Sequence, residues 1–491
     1  MSADGDAGEK SEGVERRKDT PTSPPLPDPI VRTNEVVFAA RRLAYTTTTG
    51  MLPVRNDKGE TEANLFFTAY TLTGPEGGAH RPLTFTFNGG PGSASVWLHL
   101  GGLAPKRVDM LEDGGMPRPP FTLVDNDATW LESTDLVFID PVDTGYSRAT
   151  SDDFAKKAKD VSGDLASVGE FIRLYLTRYR RWTSPLFLAG ESYGTYRSAG
   201  LAGYLIERGI AFNGIILISS ILNMQTARFA PGNDLPYVLF LPSYAATAWH
   251  HGKLAGDLKS RDIRSFLDEV EQWVESTYVP ALSLGDRLPE ERRTLVLDGL
   301  EKYTGLSRSC LDLANLRIHI QGFCKELLRD RRTTVGRLDS RFTGTDRSGV
   351  SEYPDFDPSM ASIRPPFTTV INDYIRRELG YESDIEYHIL RGLDWGWGDG
   401  AAGYADTSDA LRDAFAKNPY LHLFVASGYY DLATPYYATL YTVNHMNLDP
   451  KVRGNIVMEE YPVGHMVYLE KEALSKLHRD VAAFIARAVS G

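Results

Sequence analysis

Cysteine is almost absent from this chain, with two among 491 residues. Cys310 and Cys324 belong to no Cys-x-x-Cys or histidine pattern of a zinc site, so we expect no metal. One disulfide between them would be compatible with the sequence, but two free buried thiols are the simpler expectation. Long apolar runs are missing too: none approaches the roughly 20 residues that span a bilayer. The first thirty residues hold no apolar run of signal-peptide length. We therefore expect a soluble, cytoplasmic protein with no membrane partner.

Dense clusters of lysine and arginine are lacking as well, and the formal net charge is −12. Such a chain offers no electrostatic footprint for nucleic acid, so we expect no nucleic-acid partner. The first thirty residues mix charges, glycine, serine and threonine with five prolines, which predicts a disordered tail. No repeat is visible at periods of 20 to 50 residues.

Strand patterns dominate the first third of the chain, and helix and strand patterns alternate from about residue 161 onward. This order predicts an α/β fold whose mixed, mostly parallel sheet carries helices on both faces. Between residues 224 and 397 the alternation gives way to helical patterns. We therefore predict a tail over 1–30, a core in two parts over 31–223 and 398–491, and a helical cap over 224–397. We expect the cap to form a lid or specificity wall, with Trp395 and Trp397 influencing substrate preference.

Gly190-Glu191-Ser192-Tyr193-Gly194 follows an apolar strand pattern and opens a helical one. A Gly-x-Ser-x-Gly segment in that context is typical of a nucleophile elbow, where a tight turn requires small residues around an exposed serine. We predict that Ser192 is a nucleophile. The simpler alternative is an ordinary glycine-rich turn.

A serine nucleophile needs a base, and the base needs an acid that orients it. In the α/β-hydrolase fold these follow in the order Ser, Asp or Glu, His. Asp431 comes after one predicted strand and His465 after the next, each on a strand-end loop where active sites of parallel sheets collect. We predict a Ser192–Asp431–His465 triad, the alternatives being a helix cap for Asp431 and a surface histidine for His465.

Asn88-Gly89-Gly90-Pro91-Gly92-Ser93 directly follows another predicted strand. A tetrahedral intermediate needs backbone donors for its oxyanion, one after the serine and one from the loop after an earlier strand. We predict the N–H groups of Gly90 and Tyr193 in this role; a plain Gly-Pro turn is the alternative reading of the loop.

Four segments together resemble the serine carboxypeptidases: residues 88–93, 140–147 and 190–194, and Gly464-His465-Met466. The resemblance implies an α/β-hydrolase fold, no cofactor, and a peptide substrate with a free C-terminal carboxylate. It also implies that Asn88 and Glu191 hold that carboxylate. Because two acids face each other there, one must carry a proton, which favours acidic pH.

The chain departs from the family at several positions. The family commonly has a tryptophan where this chain has Thr86, another acid at the position of Gly102, and a proline at that of Tyr468. The leading functional hypothesis is a serine-type carboxypeptidase that forms an acyl-enzyme. The alternatives are an esterase or acyltransferase with the same triad and, less favoured because triad and glycines are all present, a non-catalytic binding protein of the same fold.

Overall fold

The protein is described by a computed structural model covering residues 26–38, 41–74, 77–78, 80–398 and 403–490. Most of the predicted N-terminal tail, residues 1–25, lies outside the described residues. The first strand already begins at Ile30, inside the predicted tail.

Strands make up one large sheet and two small hairpins. In chain order they are β1 (Ile30–Phe38), β2 (Arg41–Arg55), β3 (Thr61–Leu72), β4 (Leu83–Phe87), β5 (Lys106–Val108), β6 (Leu123–Asp125), β7 (Asp135–Ile139), β8 (Arg148–Ala149), β9 (Leu186–Ser192), β10 (Gly214–Ser220), β11 (Thr333–Val335), β12 (Thr343–Thr345), β13 (His422–Gly428) and β14 (Ile456–Tyr461).

Six neighbouring strands of the large sheet are parallel, in the order β7, β4, β9, β10, β13, β14. β1, β2 and β3 extend the sheet beyond β7 in antiparallel pairs, and β8 pairs with β3. This confirms the predicted mixed, mostly parallel sheet. Parallel strands end at one edge of a sheet, so the loops after β4, β9, β13 and β14 all emerge on the same side.

The α-helices, in chain order, are α1 (Val96–Leu98), α2 (Asp152–Lys157), α3 (Val161–Arg178), α4 (Tyr193–Ile206), α5 (Leu235–Leu239), α6 (Leu241–His250), α7 (Ile263–Trp273), α8 (Val279–Leu282), α9 (Glu290–Thr304), α10 (Arg308–Leu313), α11 (Ile320–Glu326), α12 (Pro358–Arg377), α13 (Ser408–Lys417), α14 (Tyr436–Asn444), α15 (Pro450–Arg453) and α16 (Lys471–Val489). α1 continues into a π-helical turn over His99–Leu103. Among the described residues, no helix is long and apolar enough to cross a membrane.

Both faces of the large sheet are covered by helices, because its central strands are apolar on both sides. α3 and α4 pack on one face, where Phe171 and Leu201 join the buried core. α12 and α16 pack on the other, with Phe367 and Phe484 in the core. The helices on both faces agree with the prediction.

The segment predicted as a cap, 224–397, contributes no strand to the large sheet in the described part of the chain. Its helices α5 to α11 surround an apolar cluster of their own, joined by residues of α14. α12, by contrast, packs into the core of the large sheet. The predicted segment therefore does not behave as one separate layer, and its boundaries stay a prediction. Cys310 and Cys324 are both free thiols; Cys324 is buried, as expected, but Cys310 is only partly so.

Candidate active site

Ser192 stands at the sharp turn between β9 and α4, with φ 58° and ψ −130°. Residues other than glycine rarely adopt this conformation, which is the strain expected of a nucleophile elbow. A Cβ at Gly190 would lie 2.1 Å from the carbonyl oxygen of Gly194, and one at Gly194 would lie 2.6 Å from that of Phe87. Because the chain segments approach so closely, glycine is required at both positions around the serine.

Asp431 and His465 lie on the loops after the neighbouring strands β13 and β14. His465 Nδ1 and Asp431 Oδ2 are 2.7 Å apart. Asp431 Oδ1 accepts the backbone N–H groups of Ala433 and Thr434 at 2.7 and 3.0 Å. The two backbone hydrogen bonds hold the fully buried carboxylate of Asp431 in place. Because Oδ2 of that carboxylate can only accept, the proton of the neutral imidazole lies on Nδ1. Nε2 is then the nitrogen available to a serine hydroxyl.

Ser192 and His465 line the same cavity, whose volume is about 90 Å³. The backbone N–H of His465 donates to the carbonyl oxygen of Leu338 at 2.7 Å, which ties the predicted cap to the histidine loop. The other residues that line the cavity are Asn88, Gly89, Gly90, Ser93, Trp97, Glu191, Arg337, Leu338, Met360, Ile363, Leu390 and Met466. The structure thus brings together the predicted nucleophile, its base and the two residues predicted to hold a carboxylate. Their catalytic and binding roles stay predictions.

Asn88 and Glu191 are almost fully buried in the cavity wall, 1% and 3% exposed. Asn88 Oδ1 accepts the N–H of Leu98 at 3.0 Å, whereas its Nδ2 meets no acceptor at hydrogen-bonding geometry among the described residues. A buried amide donor beside a cavity suits a ligand that brings an acceptor. Burial raises the pKa of Glu191 to about 7, although the charge of His465, a hydrogen bond from Tyr468 and the nearby side-chain amide of Asn88 act to lower it. Glu191 therefore keeps its proton at mildly acidic pH.

The pKa of His465 is set by opposed effects. Burial and the charge of Arg337 lower the pKa of the imidazole. The charge and hydrogen bond of Asp431 raise it, as does the charge of Glu191, and the net pKa lies above the usual value for histidine. Protonation of Glu191 removes one of the raising charges. It therefore lowers the pKa of His465 and favours the neutral imidazole, so that the two groups titrate as a coupled pair.

The two predicted oxyanion donors lie close to Ser192. Gly90 lines the cavity with φ 100°. A Cβ at Gly89 would lie 2.4 Å from the amide nitrogen of Tyr193, so the loop after β4 lies directly against the start of α4. The positive φ and this close approach explain why the loop is rich in glycine.

Arg197 is a site-supporting residue that sequence reasoning missed. It is 1% exposed, and its Nε donates to Asp164 Oδ2 at 2.8 Å while Nη1 donates to the carbonyl oxygen of Asn88 at 2.8 Å. Tyr193 donates its hydroxyl to the same carboxylate oxygen at 3.1 Å. The ion pair therefore links the loop after β4 to α3 and α4. The available signal was a single arginine on an otherwise uncharged helix, since a buried arginine needs a partner.

Trp395 and Trp397 do not line the cavity that contains Ser192. Both instead pack edge-on against the ring of Tyr193. The distance from the Tyr193 ring centroid is 5.3 Å to that of Trp395 and 5.7 Å to that of Trp397. The segment predicted as a lid does reach the cavity, but through Arg337, Leu338, Met360, Ile363 and Leu390. No periodicity in the sequence singled these five residues out.

Comparison with known proteins relates the chain to one family. A model of the family described as serine carboxypeptidase matches residues 39–222. The pheromone-processing carboxypeptidase KEX1 of Saccharomyces cerevisiae is 32% identical over 155 residues, which are 29% of this chain and only 20% of that protein. Serine carboxypeptidase-like 33 of Arabidopsis thaliana is 29% identical over 185 residues, 37% of this chain and 35% of that protein. These matches confirm the resemblance inferred from the motifs.

A solved structure extends the likeness to nearly the whole chain. The crystal structure of a prohormone-processing carboxypeptidase, KEX1(delta)p of Saccharomyces cerevisiae, aligns with a TM-score of 0.54 over 90% of this chain and 91% of that one. The sequence identity is 17%, so this match bears on the fold. It confirms the predicted α/β-hydrolase fold.

Proposed function

We propose that this chain, a relative of the serine carboxypeptidases, hydrolyses the last peptide bond of peptides that end in a free carboxylate. One observation carries the proposal: a single cavity holds Ser192, the imidazole of the His465–Asp431 pair, and the Asn88–Glu191 pair. A hydrolase of amides or esters in general needs only Ser192, His465 and Asp431 among these residues. The buried donor of Asn88 and the readily protonated Glu191 add recognition of a carboxylate.

The reaction would follow the acyl-enzyme route. Ser192 Oγ attacks the last peptide carbonyl and passes its proton to His465 Nε2, while the N–H groups of Gly90 and Tyr193 bind the oxyanion. His465 then gives the proton to the leaving nitrogen, the C–N bond breaks and the terminal amino acid departs. Water, deprotonated by His465, attacks the acyl-enzyme and releases the shortened peptide.

Glu191 makes substrate binding dependent on pH. In its neutral form it can donate a hydrogen bond to the substrate carboxylate, whereas in its charged form it repels that group across a poorly solvated cavity. With the pKa of Glu191 raised to about 7, KM should be lowest in acid and rise as the pH passes through that value. The neutral form of Glu191 also removes one of the charges that raise the pKa of His465, and so it favours the neutral imidazole that the reaction needs.

The cavity wall suggests which terminal residues fit best. Trp97, Met360, Ile363 and Leu390 contribute apolar side chains to the wall of the cavity that Glu191 also lines, and the whole cavity measures about 90 Å³. Transfer of an apolar side chain from water into such a space is favourable, whereas an unpaired charge would be costly there. We therefore propose a preference for an apolar terminal residue of moderate size.

The proposal is tested with paired peptides that differ only in a free or amidated C-terminus. We expect release of the terminal residue from the free acid, with KM rising up to about tenfold per pH unit above the midpoint. Glu191→Gln is neutral at every pH and should flatten that profile, and Ser192→Ala should abolish release. Equal rates on free and amidated peptides at all pH values would replace the proposal with the esterase or acyltransferase alternative. The cytoplasmic location also stays a proposal, to be checked by cell fractionation.

A further inference from the structure

Tyr468 is a fully buried residue three positions after His465, and it lies behind the cavity rather than in its wall. Its hydroxyl donates a hydrogen bond to Oε2 of Glu191. Burial holds the pKa of Tyr468 well above its usual range, with the charge of Glu191 acting in the same direction. The phenol therefore remains a donor over the whole working pH range.

The π-helical turn over His99–Leu103 provides the space for the Tyr468 ring. A Cβ at Gly101 would lie 2.3 Å from Cε2 of Tyr468, and a Cβ at Gly102 would lie 2.7 Å from its Cβ. Neither glycine has a positive φ, so the close approach of the ring, not the backbone conformation, explains them. Glycine within a helical turn is less favourable than alanine, and here the space that the phenol ring requires accounts for its presence.

The contacts of Tyr468 have a geometric consequence for Glu191. A carboxyl group has two oxygens, and Oε2 already accepts the phenol hydrogen. When Glu191 is neutral, its own proton is favoured on Oε1, because the oxygen that accepts the phenol hydrogen bond does so better as the carbonyl oxygen than as the hydroxyl oxygen of the carboxyl group. Asn88 lines the same cavity. Its Nδ2 meets no acceptor at hydrogen-bonding geometry among the described residues, but the amide lies near Glu191 and Tyr468 and lowers the pKa of both.

We propose that Tyr468 is a positioning residue for carboxylate recognition: it occupies one oxygen of Glu191 so that the other presents its proton to the substrate. This rests on the proposed function and deepens it, because it assigns the means by which Glu191 presents its proton to the substrate carboxylate. The phenol also favours the charged form of Glu191, and so it limits the pH up to which the substrate carboxylate is bound.

Several other groups act on Glu191 and have to stay constant in a test. His465 and Asp431, on the loops after β14 and β13, and Asn88, directly after β4, also act on the pKa of Glu191. Arg337 lines the cavity from the predicted cap. A substitution at Tyr468 alters none of these side chains. Its effect on the titration of Glu191 can therefore be separated from theirs.

The experiment compares wild type with Tyr468→Phe and with 3-fluorotyrosine incorporated at position 468. Removal of the donor should move the midpoint of the KM profile for the free-acid peptide upward by about one pH unit. 3-Fluorotyrosine is a stronger donor of nearly the same shape and should move the midpoint downward. The same shifts should appear in the infrared carbonyl band of protonated Glu191, identified as the band lost in Glu191→Gln, which requires no activity. The amidated peptide should show no such shifts.

Shifts of opposite sign in the two variants support the positioning role, because a merely structural role would move both midpoints alike or neither. Unchanged midpoints in both the KM profile and the infrared titration overturn it. If wild type showed no difference between free and amidated peptides, the proposed function itself would fail, and the role of Tyr468 in substrate recognition would fall with it. A pH-dependent wild type with unresponsive variants would instead refute the inference alone.

Discussion

Asp431→Asn should inactivate the protein without unfolding it, for a reason that can be worked out atom by atom. Asp431 Oδ1 accepts two backbone N–H groups, from Ala433 and Thr434. An asparagine must therefore keep its oxygen at that position, which places its NH₂ group where Oδ2 now faces Nδ1 of His465. A donor there forces the proton onto Nε2, so the imidazole can no longer accept a proton from Ser192.

The expected loss is about 10⁴-fold in kcat, or about 5.4 kcal/mol of transition-state stabilisation. It is measured as steady-state release of the terminal residue, with circular dichroism and thermal unfolding as folding controls. Asp135→Asn is a matched control, because Asp135 is also fully buried and its partners, Arg81 and Arg181, lie outside the site. That variant should lower Tm and leave kcat within a few-fold. A folded Asp431→Asn protein that lost less than tenfold would refute the assignment of the acid.

Three further outcomes are expected. Arg337→Gln removes a charge that lowers the pKa of the imidazole, so the acid limb of kcat/KM should move upward by a few tenths of a unit, and less at high salt; a downward shift would contradict this. Gly89→Ala places a methyl 2.4 Å from the amide nitrogen of Tyr193 and should cost about 100-fold in kcat; near-normal turnover would show that the loop is not part of the oxyanion site. Burial raises the pKa of Asp140 to about 7 in the fold, so its contribution to stability, complete below the unfolded pKa, is lost as the pH rises through that value. The Tm of Asp140→Asn should therefore rise relative to the Tm of wild type as the pH increases. A Tm difference that does not change with pH would contradict the raised pKa of Asp140.

The sequence predicted best where one physical requirement dominated. The strand predicted directly before Asn88 is observed as β4, Leu83–Phe87, because a short apolar run between turn residues is typical of a buried strand. The glycines around Ser192 were predicted from the tightness of an elbow, and the close contacts at Gly190 and Gly194 agree. In α16 the apolar residues at helical spacing, from Leu474 to Ile485, are buried.

The sequence predicted least where distant segments determine the outcome. β2, Arg41–Arg55, was missed because four consecutive threonines, Gly50 and Pro53 conceal its alternation, although the strand pairs along its length with β1 and β3. Gly50 is needed there because a Cβ would lie 2.8 Å from Cα of Pro29. Likewise, nothing local indicates that Tyr468 reaches Glu191, since that contact joins residues 277 positions apart.

Mass spectrometry of the protein, quenched in acid during turnover of a free-acid peptide, tests the acyl-enzyme on Ser192 most directly. We expect a covalent adduct with the mass of the acyl group of the shortened peptide, located on the fragment that contains Ser192 and absent from Ser192→Ala. We also expect that the same variant no longer releases the terminal residue. An adduct on another residue, or sustained release of the terminal residue by Ser192→Ala, would contradict an acyl-enzyme on Ser192.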